Sequence, residues 1–247
     1  MPIPKKLKHD TIGESVFELR FQTEVDALSE IILGVLYDKL RADFPKFESL
    51  PINQLPRQLL DTDPNLRYQP LHRISNNSYM VSVGAHVVSV HCKWPYQGWE
   101  NYRPLIVKVL NVLNNSKLMK TLERFSLKYV NIITQPYAPN GIHDLNFDMS
   151  MHDLKFRTDA LMVRAEIVKQ PFVNVVQLMS GASMLIPEPT PQKFNGVIVD
   201  VDTIYQGDMA AFLTSFDTKL ENAHAMEKEI YFSLLKPDTL NKLGPEY

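Results

Sequence analysis

Apolar and charged residues alternate along Glu14-Ser15-Val16-Phe17-Glu18-Leu19-Arg20-Phe21, with Phe17, Leu19 and Phe21 at one parity and Val16, Glu18 and Arg20 at the other. Successive strand side chains point to opposite faces, so this run predicts a strand with one core face and one largely polar face. The period then changes. From 25 to 44, Leu28, Ile31, Ile32, Val35, Leu36, Leu40 and Phe44 recur at steps of three and four, which predicts a helix laying one stripe on a sheet, and Pro45 stops it.

Residues 48–66 are rich in Pro, Asn and Asp and read as irregular, with room for one short strand. Segments 67–74 and 79–94 read as neighbouring strands, joined by a turn at Asn76-Asn77 because Asn tolerates the left-handed conformation. A second helix is predicted over 101–116, with Pro104 in its first turn and Leu105, Val109, Leu110 and Leu113 inward. Segment 125–133 returns as a strand. The stretch 135–141, Gln-Pro-Tyr-Ala-Pro-Asn-Gly, breaks the pattern and marks the expected boundary between an N-terminal half (1–135) and a C-terminal half (141–247). The joint is short, so the halves are expected to pack tightly as one unit. Strand-like segments follow at 143–149, 153–169, 171–185 and 195–204, then a helix from Asp208 carrying Phe212, Leu213, Phe216 and Leu220 on one stripe. The expected fold is α+β: two fused antiparallel-rich β-sheet halves with long amphipathic helices packed on one side.

Composition narrows the classes. A chain of 247 residues with 45% hydrophobic content can bury a substantial core. Its 26 basic and 28 acidic residues give a net charge of -2, without the broad positive field that phosphate binding favours. The basic run Lys5, Lys6, Lys8 leads into a strand with no apolar region and no small-residue cleavage site, so no secretion signal is expected. No uncharged apolar run reaches the roughly 18 residues of a membrane-spanning helix. The single cysteine, Cys92, allows no intramolecular disulfide and fits a reducing compartment. The expectation is a soluble, cytoplasmic protein.

Four landmarks occur in order: the 14–21 strand, Trp99-Glu100-Asn101-Tyr102 at the entry to the second helix, Arg124-Phe125-Ser126-Leu127-Lys128-Tyr129-Val130-Asn131, and His224 followed by Phe232. Together they resemble a sporadically distributed bacterial family with no established biochemical activity, over nearly the whole chain. The resemblance implies a bacterial or mobile-element setting and carries over no catalytic residue. The chain opens Thr11-Ile12-Gly13-Glu14-Ser15 where the family pattern favours Pro-Ile and Glu-Ala.

No motif names a reaction. His86 and His91, read on one strand, differ by an odd spacing and fall on opposite faces, which disfavours a shared metal. Cys92 among strand valines reads as a small buried hydrophobe and not a nucleophile. His143, Asp144, Asp148, His152 and Asp153 gather five potential ligands near the boundary, but HExxH, paired CxxC and EF-hand spacings are absent, so a polar loop is the plainer reading. His224 and Glu227, three apart on the last helix, share a face as an acid–base pair or as ordinary packing residues, the latter being plainer. Gly181 stands without a phosphate-loop partner. No catalytic residue, metal or cofactor is assigned.

What accumulates is charge at the parity opposite the apolar positions: Glu18 and Arg20, Arg124 and Lys128, Arg164 and Glu166, Asp200 and Asp202. In one sheet with helices on the other side they would form a mixed-sign surface able to recognise a partner, or an ordinary solvated face. Trp94, Tyr96, Trp99 and Tyr102 would add aromatic anchors or, more plainly, plug the helix entry. The reading is a non-enzymatic interaction protein of accessory, immunity or defence-associated kind. It binds a protein partner, or a second copy of itself, through Glu18, Arg20, Arg124, Lys128, Arg164, Glu166, Trp99 and Tyr102. The first alternative is nucleic-acid binding through Arg67, His72, Arg73, Arg124, Lys128 and nearby aromatics, weakened by Asp200 and Asp202. The second is a metal-assisted hydrolase built on the 143–153 cluster.

Overall fold

The computed structural model describes residues 2–25, 28–150, 152–153, 157–186 and 191–247. In chain order the elements are β1 (Lys6–Leu7), β2 (Ile12–Gln22), α1 (Leu28–Leu40), β3 (Lys46–Ser49), α2 (Arg57–Thr62), β4 (His72–Ser75), β5 (Tyr79–Val83) and β6 (Val87–Lys93). They continue with α3 (Trp99–Ser116), β7 (Thr121–Thr134), β8 (Met162–Lys169), β9 (Phe172–Ile186), β10 (Gln192–Tyr205), α4 (Phe216–Leu234), α5 (Pro237–Leu243) and β11 (Pro245–Glu246). The fold is α+β, as expected.

Nine strands form one antiparallel sheet in the order β3-β4-β5-β6-β2-β7-β10-β9-β8, while β1 and β11 pair separately. The N-terminal and C-terminal segments meet where β7 pairs with β10, Lys128 opposite Asp202. β2 lies at the centre, between β6 and β7. Buried on the core side and bordered by a ladder on each edge, it keeps a strict alternation of buried and half-buried positions, which is why its sequence pattern is so regular.

The long helices cover one face. Leu28, Ile32, Leu36 and Leu40 of α1, and Tyr102, Ile106, Val109, Leu110 and Leu113 of α3, join Phe17, Leu19, Phe21, Val90, Phe125 and Leu127 in one core. Ile230 and Tyr231 of α4 close a second core over Val176, Leu178, Val197, Val199 and Val201.

Five expectations need correction. Segment 79–94 is a hairpin, β5–β6, turned at Gly84, whose N–H donates to the Val87 carbonyl at 2.8 Å. A Cβ on Gly84 would lie 2.4 Å from the Gln69 carbonyl oxygen, so the close approach of the 66–71 loop requires glycine. Segment 143–149 is not a strand: after a 3-10 turn at Gly141–Asp144 it docks on the end of α4, where the Asn146 side chain donates to the Ser233 and Leu235 carbonyls at 3.0 Å. In 153–169 the strand is Met162–Lys169, preceded by a 3-10 turn at Thr158–Ala160. Asp208 caps only a turn, through the Ala210 N–H at 2.8 Å, and the helix begins at Phe216. α3 starts at Trp99, which moves Pro104 into its second turn.

Candidate functional site

In the nine-stranded sheet, from β4 across to β8, the parity opposite the helix-covered core points away from α1, α3 and α4. Cross-strand register arranges it in rows. One row runs Arg73, Ser82, Ser89, Glu18, Ser126, Ile204, Val173, Val168; the next runs Ser75, Met80, His91, Val16, Lys128, Asp202, Val175, Glu166. Glu18, Arg20, Arg124, Lys128, Arg164 and Glu166 therefore share one face, and Asp200 and Asp202 join them. Six of the eight binding residues expected from the sequence are brought together.

Their charges interlock. Arg124 lies between strands, 3.4 Å from Glu18 on β2 and 3.6 Å from Asp202 on β10. Arg20 donates to Glu18 at 2.7 Å and stands over the Tyr68 ring at 4.4 Å. Lys128 pairs with Asp200 at 2.9 Å, Arg164 with Glu166 at 2.8 Å, and His91 with Glu14 at 2.9 Å. Burial works against the Glu14 carboxylate, but its hydrogen bond to His91 and the charges of His91 and Lys128 outweigh it and hold the group below its ordinary value. Asp200, 5% exposed, goes the other way: burial raises it and Lys128 offsets only part of the shift. Asp200 Oδ1, Asp202 Oδ1 and Arg124 Nε are shielded yet find no hydrogen-bond partner among the described residues.

The face is polar at its centre and apolar toward β8, where Met162 and Val168 are 69% and 61% exposed. A cavity of about 330 Å³ lies between Glu48 and Arg73 at one edge of the sheet and Met184 and Leu185 at the end of β9, with Trp94 in its wall. The edge strand β3 and β9, next to the other edge, thus line one hollow, which makes this side of the sheet concave.

Trp99 and Tyr102 lie on the other side. Tyr102 is fully buried; its hydroxyl donates to the Val90 carbonyl at 2.5 Å and accepts the Phe17 N–H at 2.7 Å, so it fastens α3 to the sheet. Trp99 stacks on His224 with ring centres 4.2 Å apart and donates to Glu221 at 3.1 Å. The aromatic group is therefore split, Trp94 on the concave face and the other three beneath the helices. His72 is also buried on the helix side, which removes it from a nucleic-acid surface with Arg73, Arg124 and Lys128.

The 143–153 cluster does not converge. His143 meets Thr158 at 3.2 Å, Asp144 accepts from the Asn140 backbone at 2.7 Å, and His152 pairs with Asp153 in the open. Among the described residues no three His, Cys, Asp or Glu side chains form a metal-binding group. His86 lies in the β5–β6 turn, 3.8 Å from Asp61, and does not share the strand of His91. Cys92 is buried, and burial pushes its thiol up to about 11.

A second cavity, about 630 Å³, lies on the helix side between the N-terminal segment, the start of α3 and α4. Tyr96 and Tyr129 hydroxyls approach to 3.1 Å, and Tyr129 meets His224 Nδ1 at 3.2 Å. Burial, with Lys228 nearby, depresses His224 to about 3, while burial pushes the Glu227 carboxyl up to about 8 against the opposing pull of Lys228. Thr11 and Tyr231 hydroxyls lie 2.7 Å apart at the same wall. The sequence marked His224 and Glu227 as sharing a helix face, but Tyr96, Tyr129 and Thr11 come from segments too distant for any local pattern to group them.

No described helix is long and apolar enough to cross a membrane. Compared with models of known protein families and with curated protein sequences, the chain matches none.

Proposed function

We propose that this chain is a non-enzymatic interaction protein whose concave sheet face receives a protein partner. The carrying observation is the Glu18–Arg124–Asp202 bridge across three adjacent strands, set in a helix-free face that ends in exposed Met162 and Val168. Charges pre-ordered by their neighbours lose little freedom on docking and fix the register of a partner, while an apolar margin supplies burial. A helix-covered sheet needs no such array for its own core. The partner's chemistry follows: a surface of mixed charge with one apolar anchor directed at β8. An accessory, immunity or defence-associated role is compatible with this reading and rests on the family resemblance alone.

The nucleic-acid alternative is less well supported, because Arg20, Arg73, Arg124, Lys128 and Arg164 each sit against a carboxylate. Phosphate would have to displace those partners. A homo-oligomer through the same margin is a special case of protein binding, with β8 offering an eight-residue edge.

The test is affinity purification of the tagged chain from the organism that encodes it, with and without nuclease, alongside a Met162→Asp/Arg164→Glu variant and a control, Lys39→Glu, on α1. A stoichiometric, nuclease-resistant partner lost from the β8 variant and kept by the control supports the reading. Recovery of nuclease-sensitive material alone would replace it with the nucleic-acid alternative. Equal recovery by all three proteins would remove the concave face from the interaction.

A further inference from the structure

The helix-side cavity has a polar wall with an unanswered group. Glu227 is 4% exposed and lines the 630 Å³ space, yet its carboxyl makes no hydrogen bond and no ion pair with any described residue. Its oxygens are not sealed in the core but open on the cavity, so a group that enters the cavity can reach them and supply the hydrogen bond or counter-charge that a buried carboxyl ordinarily takes. Around it the hydroxyls of Tyr96, Tyr129 and Tyr231 are already engaged, with Tyr129, His224 and Thr11 respectively. The rings themselves remain as walls of the cavity, together with the edge of Trp99.

We propose that this cavity binds a small amine, its ammonium group held by the Glu227 carboxyl and the aromatic walls and its apolar body lying toward Leu7 and Phe232. Aromatic faces attract cations through their negative π clouds, an effect that grows when water is excluded. An ammonium supplies donors and positive charge to a Glu227 carboxylate, so the carboxyl releases its proton to solvent as the amine binds. Lys5, Lys6 and Lys228 line the rim and none forms an ion pair with Glu227: Lys6 is taken by Glu246 at 3.1 Å, and Lys228, whose charge pulls on the Glu227 carboxyl, spends a hydrogen bond on the Lys5 carbonyl at 3.0 Å. A cavity of this size fits a ligand of one or two rings. The site lies on the face of the sheet opposite the proposed protein-binding surface and is independent of it.

The probe is phenethylammonium, compared with the neutral 2-phenylethanol and the anionic 3-phenylpropionate. Binding is read by calorimetry and by the fluorescence of Trp99 in a Trp94→Phe background, which leaves Trp99 as the sole indole. The expected result is saturable binding of phenethylammonium, at least tenfold weaker in Glu227→Gln, with neither analogue competing at equal concentration. Tyr96→Leu, which keeps the carboxyl and removes one wall, is expected to weaken the ammonium several-fold and gives a second reading should Glu227→Gln fail to fold. Absence of saturable binding up to about 10 mM, a preference for the anion, or equal affinity in Glu227→Gln would each overturn the proposal.

Discussion

Lys128 on β7 holds the carboxylate of Asp200 on β10 at 2.9 Å, and the acid is almost wholly withdrawn from water while the amine is half-buried. The second support of Asp200 is the Gln177 amide at 3.3 Å. Lys128→Met therefore leaves a shielded carboxylate with one weak donor, a mechanism that costs about 1–3 kcal/mol. Chemical denaturation at pH 7 should show that loss, and adding Asp200→Asn should recover most of it. Burial raises the folded-state pKa of Asp200, so the deficit of the single variant should shrink as the pH falls toward the ordinary carboxylate range. A deficit independent of pH and untouched by the second substitution would mean that Lys128 acts through packing alone.

Tyr102 predicts a different kind of loss. Its hydroxyl answers two backbone groups of the central strands, the Phe17 N–H and the Val90 carbonyl, inside the core. Tyr102→Phe keeps the ring and its packing but strands both groups, which should destabilise by about 1–3 kcal/mol. For a chain of this length that corresponds to a fall in Tm of several degrees. An unchanged melting curve would show that the two strands satisfy these groups without the phenol.

Much of this architecture was legible in the sequence because local pattern and tertiary role agree. β2 alternates cleanly since one of its faces is core and the other is not, and α1 shows its stripe since Leu28, Ile32, Leu36 and Leu40 all face the sheet. The common parity of Glu18, Arg124, Asp202 and Glu166 followed from the same rule, although only the sheet order could place them side by side. The β5–β6 turn was hidden because Val83 and Ala85 flank Gly84 and Val87 resumes the apolar run after it. The start of α4 was misplaced because Phe212 keeps helical spacing while serving a loop: it stacks on Phe125 at 4.5 Å. The tyrosine-lined cavity had no local signature, being assembled from the N-terminal segment, α3, β7 and α4.

Cys92 should be chemically silent in the folded chain. It is fully buried on the core side of β6, and burial pushes its thiol up to about 11, so both access and thiolate are lacking near neutral pH. Labelling with a thiol-disulfide reagent at pH 7.5 should proceed only through opening of the protein and should accelerate with urea in step with global unfolding. Stoichiometric labelling of the native protein within seconds would place the thiol in a region that opens locally.

The strongest pH signature should come from two groups one turn apart on α4. Glu227 has a folded-state pKa of about 8 against an ordinary 4.5, so the native state keeps a proton that the unfolded chain releases. Its contribution to stability is full below pH 4.5 and is lost as the pH rises through 8. His224 is depressed from 6.5 to about 3, so the native state refuses a proton that the unfolded chain accepts, and its contribution is full above pH 6.5 and lost as the pH falls toward 3. Between 4.5 and 6.5 the two slopes oppose each other and nearly cancel; above 6.5 Glu227 acts alone, at about 1.4 kcal/mol per pH unit. The joint contribution of these two groups, read by urea unfolding as the difference between the wild type and a His224→Gln/Glu227→Gln variant, should therefore be flat from about pH 4.5 to 6.5 and fall by about 2 kcal/mol between 6.5 and 8. Glu227→Gln cannot release a proton, so its stability relative to the wild type should rise by the same amount over that interval. If the difference between the two proteins stays constant from pH 6.5 to 8, the Glu227 carboxyl ionises alike in the folded and unfolded chains, and the cavity wall is wetter than its burial implies.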